Sequence, residues 1–188
     1  MPRAHRVRVE GMSTRARSLV TESEYLALPE SMRSTELVDG EVVMAPSGSV
    51  WHQELLSRLV MSLRSWAAST PGDVTVVQAP MDVRFALGRI LQPDAMVFLA
   101  ALDRNAAQPL DRIPEICIEV LSNNRTYDRV TKRFLYAEAG VAEYWIVDPS
   151  GLVEQRTGPG LARSDDRTER LESALLAGFS LDVAALFE

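Results

Sequence analysis

The run Ile116-Cys117-Ile118-Glu119-Val120-Leu121 constrains the fold of this chain more than any other stretch. It is almost continuously apolar, with no alternation of polar and apolar positions, which is the pattern of a strand covered on both faces. Such a strand belongs inside a sheet with other layers packed against it. The neighbouring sequence provides them. Between Trp51 and Ala68, the residues Leu55, Leu56, Leu59, Leu63, Trp66 and Ala67 recur at spacings of three and four. That is one apolar stripe along a helix, which Pro71-Gly72-Asp73 breaks. After the apolar run, a helix is expected from about Thr126 to Glu138, closed at Gly140 by a left-handed cap. Ala142 to Val147 reads as a further central strand, stopped by Asp148-Pro149-Ser150-Gly151.

The remaining segments fit the same architecture. Thr21-Glu22-Ser23-Glu24 is a capping box that opens a short helix ended by Pro29. Glu36 to Met44 reads as two strands around an Asp39-Gly40 turn. Val74 to Gln78, Met81 to Phe85 and Ala95 to Leu99 are strand-like, and a polar loop runs from Asp103 to Arg112. Leu152 to Arg156 is expected as an edge strand and Leu181 to Phe187 as a final helical turn, both peripheral. The fold class is α/β (α+β): a central mixed sheet flanked by helices, as one domain over residues 21–188. Residues 1–20 read as a basic, disordered leader, and Met12 could equally begin the protein.

Composition excludes several classes. No apolar run approaches the ~20 residues of a membrane span. The basic N-terminus has no apolar segment behind it, so it is not a secretory signal. A single cysteine, Cys117, excludes a disulfide framework and multi-cysteine metal sites, and fits a reducing cytoplasm. The net charge of −6 argues against a non-specific nucleic-acid coat but allows a local basic groove. A phosphate-cradling glycine loop, a nucleophile elbow and His/Cys metal spacing are all missing.

Two acids stand out. Glu119 lies inside the apolar run, and a buried carboxylate is costly unless it is paired or bound to metal. It could be an inward glutamate satisfied by an arginine, or an edge glutamate facing water. Asp94, in Pro93-Asp94-Ala95-Met96-Val97-Phe98, puts an acid at the start of another apolar strand, where turn chemistry alone would explain it. Two acids on neighbouring strands also form a hard-oxygen pair suited to Mg²⁺.

Lys132 is the third feature, the only lysine among twenty basic residues. In a helix, Arg125, Arg129, Lys132 and Arg133 fall on one basic stripe, while Val130, Phe134, Ala137 and Tyr127 lie toward another face. A solvated surface accounts for the stripe but not for the choice of lysine. A compact ammonium differs from a guanidinium where it must reach a phosphate or an attacking water in a tight site. Asp128, four residues before Lys132, reads as its i,i+4 partner. Tyr136, Tyr144 and Trp145 read as core.

Glu36-Leu37-Val38-Asp39-Gly40-Glu41, His52 opening the long helix, Pro93-Asp94 and Ile118-Glu119-Val120-Leu121-Ser122 occur in that order. Asp128 with Lys132 and then Gly140-Val141-Ala142-Glu143-Tyr144-Trp145-Ile146-Val147-Asp148-Pro149 follow. Together, over roughly Thr21 to Gly158, they closely resemble the Uma-type family of bacterial restriction endonucleases in the PD-(D/E)XK nuclease superfamily. In that superfamily a lysine stands two residues after the second metal acid. Here that position is Leu121, and the resemblance implies that the lysine's part passes to Lys132 on the next helix.

By the resemblance, Asp94 and Glu119 would bind Mg²⁺ or Mn²⁺, with the Val120 carbonyl as a further ligand. Lys132 would orient or activate the attacking water, Glu36 would add another acid, and Arg125, Arg129 and Arg133 would contact phosphate. His52, otherwise a surface or partly packed histidine, would lie near the acids to contact phosphate or move a proton. The expected function is Mg²⁺-dependent hydrolysis of DNA phosphodiester bonds by a cytoplasmic homodimer, since a duplex has two strands to cut. An inactive nuclease-like binding or assembly module, or a metal-dependent phosphodiesterase acting on RNA or nucleotides, remain as alternatives.

Overall fold

In a computed structural model, which describes residues 19–29, 35–44, 48–122 and 125–188, the apolar runs form strands and the striped segment a long helix. The leader expected over residues 1–20 lies almost wholly outside the described residues. Helix α1 (Glu22–Leu26) starts at Thr21, whose side chain and that of Glu24 cap each other's main chain. Strands β1 (Thr35–Val38) and β2 (Glu41–Met44) turn at Asp39 and Gly40, with φ of 51° and 88°. Two consecutive left-handed residues are what a tight hairpin of matching twist requires, and Asp-Gly adopts them cheaply.

Helix α2 (Val50–Ser69) is capped by the Ser49 side chain and is followed by β3 (Thr75–Gln78), β4 (Val83–Ala86), β5 (Arg89–Leu91) and β6 (Ala95–Phe98). Strand β7 (Ile116–Val120) is buried at every position. The next helix is α-helical at Arg125 and Thr126, is wound as a π-turn over Tyr127–Lys132 and continues as α3 (Arg133–Ala139), ending at Gly140 with φ 86°. The chain goes on through β8 (Glu143–Asp148), β9 (Leu152–Thr157), β10 (Arg163–Arg167), β11 (Arg170–Glu172), β12 (Ser180–Asp182) and α4 (Val183–Leu186).

The main sheet has six strands in the order β10-β9-β8-β7-β6-β3. Only β7 and β8 are parallel, joined through the π-turn and α3, so the sheet is mixed. A second sheet, β2-β1-β5-β4, carries the hairpin. On one face of the main sheet, Leu55, Leu59 and Leu63 of α2 are fully buried with Val97, Ile116, Ile118 and Trp145. Each leucine contributes about 1.5–3 kcal/mol relative to an exposed position. On the other face, Met96, Phe98 and Cys117 pack with Leu135, Tyr136 and Tyr144.

Three expectations change. Strand β5 is short and went unread, yet it joins β1 to β4. Strand β9 is not an edge, because β10 pairs with it along its length. The C-terminal segment is not peripheral: Leu171, Leu176, Phe179, Val183 and Leu186 close the α2 face of the core.

Candidate active site

Glu119 is the fourth of the five residues of β7, with its side chain on the α3 face, where only apolar residues would be expected. Its Oε1 accepts from the Lys132 ammonium at 2.8 Å and from the Tyr136 hydroxyl at 2.7 Å, both buried. Lys132 is 4% exposed and also lies 3.1 Å from Glu36 Oε1. Glu36 comes from β1 of the second sheet and is itself 1% exposed. Its Oε1 accepts the Gln92 main-chain N–H at 3.0 Å and its Oε2 accepts the Tyr127 hydroxyl at 2.9 Å. One ammonium therefore bridges two carboxylates drawn from two different sheets.

Asp94 completes the group. The β6–β7 ladder pairs Ala95 with Ile118 and Met96 with Cys117. One further step sets Asp94 opposite Glu119, and directly opposed residues in an antiparallel pair share a face. Asp94 Oδ2 accepts the Val120 main-chain N–H at 2.8 Å and lies 3.1 Å from His52 Nε2. His52 is buried in the first turn of α2, where the apolar stripe fixes the helix rotation, and its Nδ1 is buried without a hydrogen-bond partner.

The charges are strongly coupled. Burial alone would favour a neutral Lys132, but Glu119, Glu36, Asp94 and Asp128 reverse this and hold its pKa well above the ordinary lysine range. The ammonium is protonated at neutral pH. Burial pushes the Glu119 carboxyl well up, with Lys132 opposing and Asp94, Asp128 and Glu36 adding to the shift. Asp128 is pushed to about 6, first by burial and then by Asp94 and Glu36 against Lys132. Burial pulls His52 down, yet its hydrogen bond and charge interaction with Asp94 win, and its pKa is raised.

The structure thus brings Glu36, His52, Asp94, Glu119, the Val120 main chain and Lys132 together. It pairs two arginines of the expected basic stripe with other acids. Arg125 and Arg129 each bind Asp148 at 2.9 Å, and Arg129 also pairs with Glu154. Arg133 has a buried Nε without a partner. The ion-pair partners of Lys132 are Glu119 and Glu36 rather than Asp128.

Two contacts of the cluster were not read from the sequence. Tyr136 stands four residues after Lys132 at an α-helical spacing that could have revealed it. Tyr127, five residues before Lys132, gives no such signal.

Among the described residues, no three His, Cys, Asp or Glu side chains gather as a metal cage. Mg²⁺ needs less, since one or two carboxylates suffice with water completing its shell. The donor set here is hard oxygen. Glu119 receives its bonds on Oε1 and Asp94 on Oδ2, so these contacts leave Oε2 and Oδ1 for a cation. Four acids facing one ammonium also leave an excess of negative charge that a cation would offset. The residues fit a divalent ion.

No helix among the described residues is long and apolar enough to cross a membrane. The fold matches a crystal structure of "a putative nuclease belonging to DUF820" from Anabaena variabilis ATCC 29413, with a TM-score of 0.75 and 22% identity. The match covers 89% of this chain and 97% of that one. No curated protein matches the chain. A family model described as "Uma2: Putative restriction endonuclease" matches residues 22–184. Matched by that family model over most of its length, the chain belongs to the Uma2 family.

Proposed function

We propose that this chain is a metal-dependent endonuclease that hydrolyses DNA phosphodiester bonds at the Asp94/Glu119 pair. The observation that carries this reading is the buried Lys132 ammonium, shared by Glu119 and Glu36 beside an aspartate on the same face. Asp94, Glu119 and the Val120 carbonyl would hold Mg²⁺ or Mn²⁺. The ion, when bound, lowers the pKa of a coordinated water and offsets charge on the phosphate.

The chain's own groups do the rest. Lys132 stays charged and stabilises negative charge on the phosphate or the attacking water. Glu36 keeps that ammonium aimed at Glu119. His52 and the Val120 N–H hold Asp94 Oδ2 from two sides, so the second oxygen points in a defined direction. Arg125, half exposed, would meet a backbone phosphate by exchanging its bond to Asp148, with Arg129 and Arg133 alongside. A homodimer would bring two such sites to the two strands of a duplex, in the reducing cytoplasm that a free, buried Cys117 suits.

Nicking of supercoiled plasmid with Mg²⁺ or Mn²⁺ tests the reading, with EDTA and Asp94→Ala as controls and single-stranded RNA as a second substrate. Nicking that needs the metal and is lost in Asp94→Ala supports it, whereas nicking that survives either control contradicts it. The internal pairing of Arg125 and Arg129 favours a binding module as the second reading, and inactivity on both DNA and RNA would select it.

A further inference from the structure

The helix that carries Lys132 is not α-helical throughout. From Tyr127 to Lys132 it is wound as a π-turn, and only from Arg133 does it become α3. The winding decides which side chains share a face. In an α-helix, residues five apart point about 140° away from each other. Where hydrogen bonds run from i to i+5 the turn is wider, so residues five apart come round toward the same side of the helix, and such turns concentrate at functional sites.

Tyr127 and Lys132 are five apart, and they meet on a single carboxylate. The Tyr127 hydroxyl donates to Glu36 Oε2 at 2.9 Å, and the Lys132 ammonium lies 3.1 Å from Oε1. The Tyr127 ring centroid is 5.8 Å from the same ammonium, within cation–π range. With the Gln92 N–H on Oε1, Glu36 is held at three points.

We propose that Tyr127 is a positioning residue for Lys132: its hydroxyl locks Glu36 and its ring backs the ammonium, so that Lys132 stays aimed at Glu119. The π-turn is what makes this triangle possible. Burial, and then the charge of Glu36, raise the Tyr127 pKa, so the hydroxyl remains a donor. The proposal rests on the reading of Lys132 as the lysine of the nuclease site.

Lys132 is the chain's only lysine, so amine acylation read by mass spectrometry reports on it without interference from other side chains. Tyr127→Phe removes the hydroxyl and keeps the ring, while Tyr127→Leu removes both. A hydrogen bond to a charged group is involved, so the acylation rate should rise about tenfold in Tyr127→Phe and further in Tyr127→Leu. The kcat for Mn²⁺-dependent nicking should fall about tenfold with KM within about twofold, because ground-state binding is untouched. Thermal unfolding serves as the folding control.

A tyrosine that is merely structural would lower Tm while leaving acylation and kcat of the folded enzyme unchanged. Wild-type acylation in Tyr127→Phe overturns the proposal, as does an unchanged kcat. If the wild type nicks nothing, the nuclease reading fails instead, and acylation alone decides whether Tyr127 holds Lys132.

Discussion

Lys132→Met tests the buried cluster most severely. The substitution keeps the length of the side chain and deletes an ammonium held 2.8 Å from Glu119 and 3.1 Å from Glu36, at 4% exposure. Removing one partner of a buried pair costs about 3–5 kcal/mol, because the remaining charge has lost both water and its counterion. For a chain of this length, each kcal/mol lowers Tm by roughly 2–4 °C, so the variant should melt about 6–20 °C below wild type at pH 8.

The deficit should shrink on acidification. Glu119 already has a raised pKa in the fold, and Lys132 is the group that opposes the shift. Without Lys132 the pKa rises further. An acid whose folded pKa is raised destabilises the fold fully above that folded pKa, progressively less as pH falls through it, and not at all below its unfolded value of about 4.3. Glu119 titrates at a raised pKa in both proteins. The gap between the variant and wild type should therefore narrow on acidification by about 1.4 kcal/mol for each pH unit between the variant's folded pKa and the lower one of wild type, and stay constant below that. Circular dichroism melts at pH 8, 6.5 and 5 measure this. An equal Tm at pH 8, or a gap that does not narrow toward pH 5, would refute the placement of the ammonium between the two acids.

Lys132→Arg keeps the charge but forces a planar, larger group into the same enclosure, so nicking should fall steeply with a stability loss of about 1–3 kcal/mol; full activity would show that any cation suffices. Gly48→Ala places a Cβ 2.6 Å from His52 Nδ1, so the ring must turn away from Asp94. Nicking should drop about tenfold through loss of that support, and unchanged activity would remove His52 from the site. Burial works against ionisation of Asp148, but the Ser150 hydrogen bonds, Arg129 and Arg125 pull its pKa to about 2. Its stabilisation is present above the unfolded pKa and lost as pH falls toward 2, so Asp148→Asn should cost about 2 kcal/mol at pH 7 and little near pH 2. A constant difference across that range would contradict the pairing.

What could be read from the sequence follows physical periodicity. The α2 stripe, the Asp39-Gly40 turn and the apolar run of β7 each follow from local rules, and each is present. Strand β5 eluded that reading because three residues beginning with Arg89 show no period. The buried C-terminal residues Leu171, Leu176 and Phe179 are spaced irregularly among polar neighbours, so only tertiary packing reveals them as core. In the site, Glu119 and Asp94 were conspicuous as acids among apolar residues, and Lys132 as the one lysine. The π-turn had no local signature. Its sequence suits an α-helix, and the contacts that accompany the other winding are those of Tyr127 and Lys132 with Glu36 on a distant strand.

The account stands or falls on a divalent cation at Asp94 and Glu119, and anomalous diffraction from a crystal soaked in Mn²⁺ tests this directly. The expected result is a single strong peak against both carboxylates and the Val120 carbonyl, absent in Asp94→Ala. A peak elsewhere, or none in a crystal of protein that nicks DNA with Mn²⁺, would contradict it.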